Sequence, residues 1–491
     1  MPPELTHRRR MLVLAICCMS LLIVSLDNTV LNVALPTMQK EFDASVAGMQ
    51  WTIDAYTLVL ASLLMLAGST ADRIGRRKVF RAGLVIFTLG SVLCSLAPNL
   101  ESLIAFRMLQ AVGGSMLNPV AMSIITNTFT DPRERARAIG VWGGVVGISM
   151  AAGPLVGGVL VDSVGWRSIF WINLPVGLAA LFLTLRYVPE SRAPKPRRPD
   201  PVGQLLVIVL LGALTYAIIE APKAGWTSPL ILSFAGAALL GLTGLLLYEP
   251  RRAEPLIDLR FFRSAPFSGA TVIAIAAFAA LSGFLFLSTL YLQDVRGLDA
   301  LHAGLWMLPM AAMTLVCAPL SGRLVGSRGP RVSLLVAGVA MTASGLLFAA
   351  FQAEDSSGTR LLSYVLFGLG FGFVNAPITN TAVAGMPRAQ AGVAAAVAST
   401  SRQIGSTLGV AVIGAVLASG VAASSYATGF SEASRPAWWI ITGCGAAVLL
   451  LGALTSGRWA RETARRAAER FEEGETAEAG AGRQPRMTND R

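Results

Sequence analysis

The stretch LVLASLLMLAGSTADRIGRRKVFRAGLVIFTLGSVL, residues 58–93, decides the fold. Two apolar blocks, 47–68 and 79–98, flank the short basic run Gly68-Ser-Thr-Ala-Asp72-Arg73-Ile-Gly75-Arg76-Arg77-Lys78. Each block is long enough to cross a hydrocarbon core of roughly 30 Å as a helix. The same alternation continues in both directions. It gives further spans at 11–35, 102–126, 137–161, 168–187, 203–220, 229–248, 267–292, 303–324, 332–352, 361–385, 391–420 and 437–457. The expected architecture is an all-α polytopic membrane protein of fourteen spans.

Composition agrees. Of 491 residues, 54% are hydrophobic and 14% charged, against about 25% charged in soluble domains. The formal charge of +12 does not read as a nucleic-acid footprint, because Arg and Lys lie between apolar blocks rather than on one folded face. Arg8, Arg9 and Arg10 precede an apolar stretch that runs to Ala34 with no small-residue cleavage site, which reads as an uncleaved first span. Cys17, Cys18, Cys94, Cys317 and Cys444 all fall within spans, and His7 and His302 are far apart. Neither a disulfide framework nor a metal site is indicated.

With the N-terminus inside, 32 of the 40 Lys and Arg fall on the cytoplasmic side, six outside, and Arg107 and Arg402 within spans. That split fits the positive-inside rule with both ends cytoplasmic. Arg402 and Gln403, at the opening of their span, read as cytoplasmic or snorkelling.

Residues 188–202 are rich in Pro and Arg and read as a cytoplasmic linker. Residues 458–491 read as a tail, a short amphipathic helix followed by mostly disordered chain. A weak repeat relates the halves: Gly68 to Gly75 after span two, and Gly322 to Gly329 after span ten, each followed closely by Arg. Repeated halves are the build of many secondary transporters. The division is a six-helix bundle at 1–187, an inserted helix pair at 203–248, and a second six-helix bundle at 249–457.

These features resemble the major facilitator superfamily, and within it the fourteen-spanner drug:proton antiporters. Gly68-x-x-Ala71-Asp72-Arg73-x-Gly75-Arg76-Arg77-Lys78 matches that superfamily's loop motif. Leu26-Asp27-Asn28-Thr29-Val30-Leu31-Asn32-Val33-Ala34-Leu35-Pro36 resembles the span-one motif of the fourteen-spanner group. Gly147-x5-Gly153-Pro154-x-x-Gly157-Gly158 resembles the antiporter motif, and Trp166-Arg167-x-Ile169-Phe170-x-Ile172-Asn173-x-Pro175-x-Gly177 is typical of the group. The span-four motif departs from the pattern, with Ala111 where Gly is usual in Arg107-Met-Leu-Gln110-Ala111. No acidic residue occurs in 303–322 or 391–420, where some relatives carry one.

The intramembrane polar residues are the candidate machinery, since an Asp at the bilayer centre costs roughly 2.5–3.5 kcal/mol on insertion scales. Asp27, with Arg107, is the candidate proton-coupling pair; the resemblance implies that role for Arg107. The competing reading of Asp27 is a cap or interface residue near the outer end of span one, and that of Arg107 is structural pairing. Asp54, with Trp51, Tyr56 and Gln110, is the candidate substrate site. A carboxylate beside aromatic rings suits a lipophilic cation, and the same constellation resembles exporters of quaternary ammonium compounds. An interfacial aromatic belt is the alternative. Gly68, Asp72, Arg73, Gly75, Arg76 and Arg77 form a candidate conformational latch, or a positive-inside anchor. Gly147, Gly153, Pro154, Gly157 and Gly158 form a small-residue face for close helix packing, with a kink expected at Pro154.

No ATP-binding P-loop occurs, so the expected drive is the proton gradient, with no cofactor and no metal. The expected activity is export of a drug or antibiotic by a non-enzymatic antiporter of the bacterial plasma membrane. The expected partners are that small molecule, protons and the lipid bilayer, with no nucleic acid and the chain working as a monomer. A proton-coupled importer is the alternative, disfavoured by the Gly-Pro motif. A membrane-embedded receptor or enzyme would need a signalling domain or a nucleophile–base pair, and neither is evident.

Overall fold

A computed structural model describes residues 6–193, 199–252, 254–351, 357–383, 391–421 and 426–481. Secondary structure among them is helical throughout. Long apolar runs leave the backbone no partner in lipid except itself, which selects helices.

The first bundle comprises α1 (His7–Phe42), α2 (Val46–Ile74), α3 (Arg76–Ser95), α4 (Leu100–Ser115), α5 (Asn118–Thr128), α6 (Pro132–Ser163), α7 (Ser168–Trp171) and α8 (Asn173–Tyr187). The inserted pair is α9 (Pro201–Ala224) and α10 (Pro229–Tyr248). The second bundle holds α11 (Ala265–Leu290), α12 (Ala300–Arg328), α13 (Pro330–Phe351), α14 (Ser357–Val383), α15 (Ala391–Val421) and α16 (Tyr426–Thr455), followed by α17 (Arg458–Ala481). This is the all-helical, polytopic architecture expected from the sequence. Among the described residues, thirteen helical spans are long and apolar enough to cross a membrane by length and composition, α4–α5 and α7–α8 each counting as one. The remaining candidate, α6, has 32 residues and a shorter apolar stretch at Ala152–Ser163.

Helix starts follow from local chemistry. The side chain of Asp131 caps α6, Asp200 caps α9 and Ser228 caps α10, and each is followed directly by Pro at the first helical turn. There the missing N–H is no loss and the fixed φ is already helical. The repeat between the halves appears as matched corners. Gly75 (φ 124°) joins α2 to α3 and Gly329 (φ 79°) joins α12 to α13, both in backbone conformations that favour glycine.

Four expectations need correction. The first span does not end at residue 35: α1 continues through Pro36 to Phe42, so Asp27 lies mid-helix rather than near the outer end. Span 102–126 divides into α4 and α5, with Pro119 in the first turn of α5. The tail remains helical to Ala481, and Thr463 caps the start of α11 by accepting from the Ala265 N–H. Arg402 does not open its helix but lies well inside α15, donating to Thr379 Oγ1 at 2.6 Å.

The bundles differ inside. The second is filled by aromatic rings: Phe284 stacks on Phe367 with centroids 4.1 Å apart, and Phe348 on Trp438 at 4.2 Å. The first encloses an ionic cluster. The bundles meet where α2 packs on α15, α6 on α12 and α1 on α11, and α9 packs against both α2 and α15.

Candidate functional site

Asp27 accepts on both oxygens. Arg107 Nη1 donates to its Oδ2 at 2.5 Å; Gln110 Nε2 and Asn173 Nδ2 donate to its Oδ1 at 2.8 and 3.0 Å. Arg107 Nη1 also reaches Gln110 Oε1 at 2.8 Å. Helical spacing puts Arg107 and Gln110, one turn apart on α4, on the same face. The guanidinium lies 4.2 Å from the centroid of the Tyr56 ring, and Arg107 Nε donates to the Thr52 carbonyl at 3.4 Å. Asn173, which opens α8, also donates to Ser91 Oγ at 3.0 Å. α4 and α8 thus meet the carboxylate carried by α1, and α2 and α3 hold the second rank of contacts, on Arg107 and Asn173. Arg107 is 0% exposed and Asp27 2% at the side chain. Removing one partner of such a buried pair leaves an uncompensated charge.

Asp54 lies elsewhere. It belongs to the face of α2 that meets α15 across the seam between bundles. One turn before it, Gln50 Nε2 donates to the carbonyls of Val410 and Ala411 at 3.0 and 2.8 Å. One turn after it, Thr57 accepts from Thr407 Oγ1 at 2.9 Å and donates to Asp54 Oδ1 at 3.4 Å. Asp54 is fully buried, and its Oδ2 has no hydrogen-bond partner among the described residues.

The four residues read as one substrate site therefore separate. Trp51 turns to the inserted pair, where its Nε1 donates to Glu220 Oε1 at 2.8 Å and its ring meets Tyr216. Tyr56 and Gln110 belong to the Asp27 cluster, and Asp54 stands at the seam. Successive residues of a helix point about 100° apart, so neighbours in sequence serve different surfaces.

The loop residues are engaged within their own bundle. Asp72 accepts from Arg76 Nη2 and Nε at 2.8 and 3.0 Å. Glu190 takes the helix start instead, its Oε1 accepting from the Arg77 N–H at 3.1 Å. A Cβ at Gly75 would meet that carboxylate at 2.6 Å. Gly68 approaches Pro119, and Arg73 is exposed.

The small-residue face of α6 fits between α1 and α12. A Cβ at Gly153 would strike Thr29, one at Gly157 would press on Val30, and one at Gly158 would meet the Leu301 backbone at 2.6 Å. From the other side, a Cβ at Gly304 would meet the Pro154 carbonyl at 2.4 Å. Asp162 then caps α12, its Oδ2 accepting from the Leu301 N–H at 2.7 Å and its Oδ1 from that of Ala300 at 3.3 Å. Gly147 lies on α6, with its surroundings outside the described residues.

Together with Gln293 Nε2 donating to the Val33 carbonyl at 2.8 Å, these links close the seam at the end of the molecule remote from the start of α1. A polar cluster inside one bundle, beside a seam closed at one end, is the arrangement of a carrier. Residues 17–410 match the Major Facilitator Superfamily. The chain belongs to this superfamily.

Among other superfamily members, it is 40% identical over 418 residues to the multidrug resistance protein Stp of Mycobacterium tuberculosis, covering 85% of this chain and 78% of that one. It is 38% identical over 402 residues to the tetracenomycin C resistance and export protein of Streptomyces glaucescens, covering 82% and 74%. The methylenomycin A resistance protein of Streptomyces coelicolor is 36% identical over 397 residues, with 80% and 82% covered. In fold it is similar to a crystal structure of a bacterial homologue of the human lysosomal transporter Spinster, in an inward-facing and occupied conformation. That likeness has a TM-score of 0.62 at 18% identity, over 96% of this chain and 99% of the other.

This superfamily member is a multi-pass membrane transporter. Asn173 and Ser91 are the cluster members that the candidate set left out. Asn173 was visible only as part of the motif beginning at Trp166, with nothing in the sequence to place it against Asp27. Ser91 carries no sequence signal.

Proposed function

We propose that this protein exports lipophilic, cationic drugs or antibiotics across the bacterial plasma membrane in exchange for protons. It does so by alternating access, as a monomeric fourteen-spanner with both termini cytoplasmic. The names of its relatives support drugs and antibiotics as the substrates.

The observation that carries the coupling is the contrast between two buried carboxyls. Asp27 has a cation against it; among the described residues Asp54 has none and keeps one oxygen unpartnered. A carboxylate buried without a cation is costly, and either a proton or a positively charged substrate removes the cost. Competition between the two for one group is what exchange requires. Closing the α2–α15 seam over Asp54 favours the proton, and opening it admits the substrate.

The Asp27 cluster bears on the same helix. Arg107 rests on Tyr56 and the Thr52 carbonyl, both on α2. A proton on Asp27 weakens its hold on Arg107 and so the grip of Arg107 on α2. With the termini inside, the seam described here is sealed on the outer side. Asp72 and Arg76 hold the loop at the inner end, and the Gly153–Gly158 face keeps the outer contact tight against proton leak.

The test is transport in proteoliposomes with an imposed pH difference and a fluorescent lipophilic cation. Export predicts that the dye moves against the proton flux, and that Asp54→Asn loses this movement while remaining folded. Dye moving in the same direction as protons would mean import and would overturn the proposal.

A further inference from the structure

The base of the inserted helix pair holds a second carboxyl pair, outside the central cluster. Asp200 is the cap of α9, and Glu249 follows α10 directly, in the short helical turn Glu249–Arg251. The two residues are 3% and 1% exposed. Asp200 uses Oδ1 fully, accepting from the Gly203 N–H at 3.0 Å and from the Tyr248 hydroxyl at 3.2 Å. Glu249 uses Oε2, accepting from the Ile257 N–H at 3.4 Å. The remaining oxygens, Asp200 Oδ2 and Glu249 Oε1, have no hydrogen-bond partner among the described residues.

Those two oxygens face the same small space. A Cβ on Gly203 would lie 2.5 Å from Glu249 Oε1 and 2.8 Å from Asp200 Oδ2, so the oxygens are no further apart than those two distances together. Only a glycine leaves this space open. Two carboxylates at such range in a buried setting cannot both stay ionised at modest cost.

The described surroundings offer little compensation. Arg252 is the cation that acts on Glu249, while Arg251 turns back to the Leu247 carbonyl. From α2 and α15 this part of α9 meets Leu58, Ala61 and Ile404, and Ser62 gives its carbonyl to Gln204. None of these is charged.

We infer that Asp200 and Glu249 bind one proton between them. The protonated carboxyl donates to its ionised partner, and the shared proton fastens the base of the inserted pair. Asp200 ties the start of α9, Glu249 ties the end of α10, and through Ile257 the pair holds the segment leading to the second bundle. Loss of the proton sets two negative charges against each other and loosens that corner. The site is a proton-binding site separate from Asp27 and Asp54, and it acts on the inserted pair rather than on substrate.

The test is amide hydrogen exchange on the full-length protein in lipid nanodiscs from pH 5.5 to 8.5, corrected for intrinsic exchange. Expected is loss of protection at Gly203 and Ile257 by about tenfold or more across the range, the equivalent of one pH unit of linkage. Glu249→Gln and Asp200→Asn each supply an amide that donates to the remaining carboxylate, and Asn also keeps the cap. Both variants are expected to stay protected at every pH. A wild-type profile flat with pH overturns the inference, as does a variant that keeps the wild-type slope or loses protection throughout. Protection that follows sodium concentration at fixed pH would mean a metal cation in place of the proton, and also overturns it. The readout does not depend on transport, so it stands or falls apart from the export reading.

Discussion

Arg107 meets Asp27 across 80 residues of sequence, Nη1 to Oδ2, with neither side chain in contact with solvent. The pair links α4 to α1, and the arginine's other contacts link both to α2. One ion pair therefore joins three helices of the first bundle, one of which forms the seam.

Breaking that pair on one side should be costly. Asp27→Asn keeps acceptors for Gln110 and Asn173 but leaves Arg107 buried without a counter-charge. A loss of about 3–5 kcal/mol is expected, seen as a lowered unfolding temperature in detergent. The double variant Asp27→Asn/Arg107→Gln should recover most of that stability, because no buried charge remains, and still fail to transport. Equal destabilisation of single and double variants would mean that the charge is not what the cluster compensates.

Asn173 is predicted to matter though its side chain is neutral. Asn173→Ala removes donors to Asp27 and Ser91 and should cost about 1–3 kcal/mol. The loss should show as a lowered unfolding temperature in detergent, and an unchanged temperature would mean that these two hydrogen bonds contribute nothing.

The seam at the end remote from the start of α1 depends on bare backbone at Gly304. Gly304→Val drives a side chain into the Pro154 carbonyl, an overpacking expected to cost about 1–3 kcal/mol. Its consequence should be directional. Thr57→Cys should react faster with a membrane-impermeant maleimide applied from the outside in the Gly304→Val background than with Gly304 intact. No change in labelling would show that α6 and α12 do not control access at this end.

Trp51 is expected to be a docking residue. Its indole N–H is taken by Glu220 of the inserted pair. Trp51→Phe should leave the spectrum of exported compounds unchanged and lower stability by about 0.5–1.5 kcal/mol, the worth of one hydrogen bond. Glu220→Gln, which still accepts, should be nearly silent. A changed compound spectrum in Trp51→Phe would return this ring to the substrate path.

Thirteen of the spans and their order were legible in the sequence, because hydrophobic length is a one-dimensional property. The loop motif from Gly68 to Arg77 and the Gly153-Pro154 run were legible too, being short runs in which residue type and spacing carry the signal. Asp27, Asp54 and Arg107 stood out because a charge in an apolar block is conspicuous wherever it points.

Where those charges point was decided only by the tertiary structure. Membrane helices are apolar towards lipid and towards one another, so their sequences carry no polar face to say which side meets which neighbour. That is why Trp51, Asp54 and Tyr56 read as one site and fold into three surroundings. It is also why nothing in the sequence ties Asn173 and Ser91 to Asp27, or Asp200 to Glu249 at the ends of their helices. Packing brings Thr407 to Thr57 across 350 residues and closes Asp54 into a seam between bundles. The sequence determined that this chain lies in a membrane and which charges it carries there; the packing of its helices determined which of those charges has a partner.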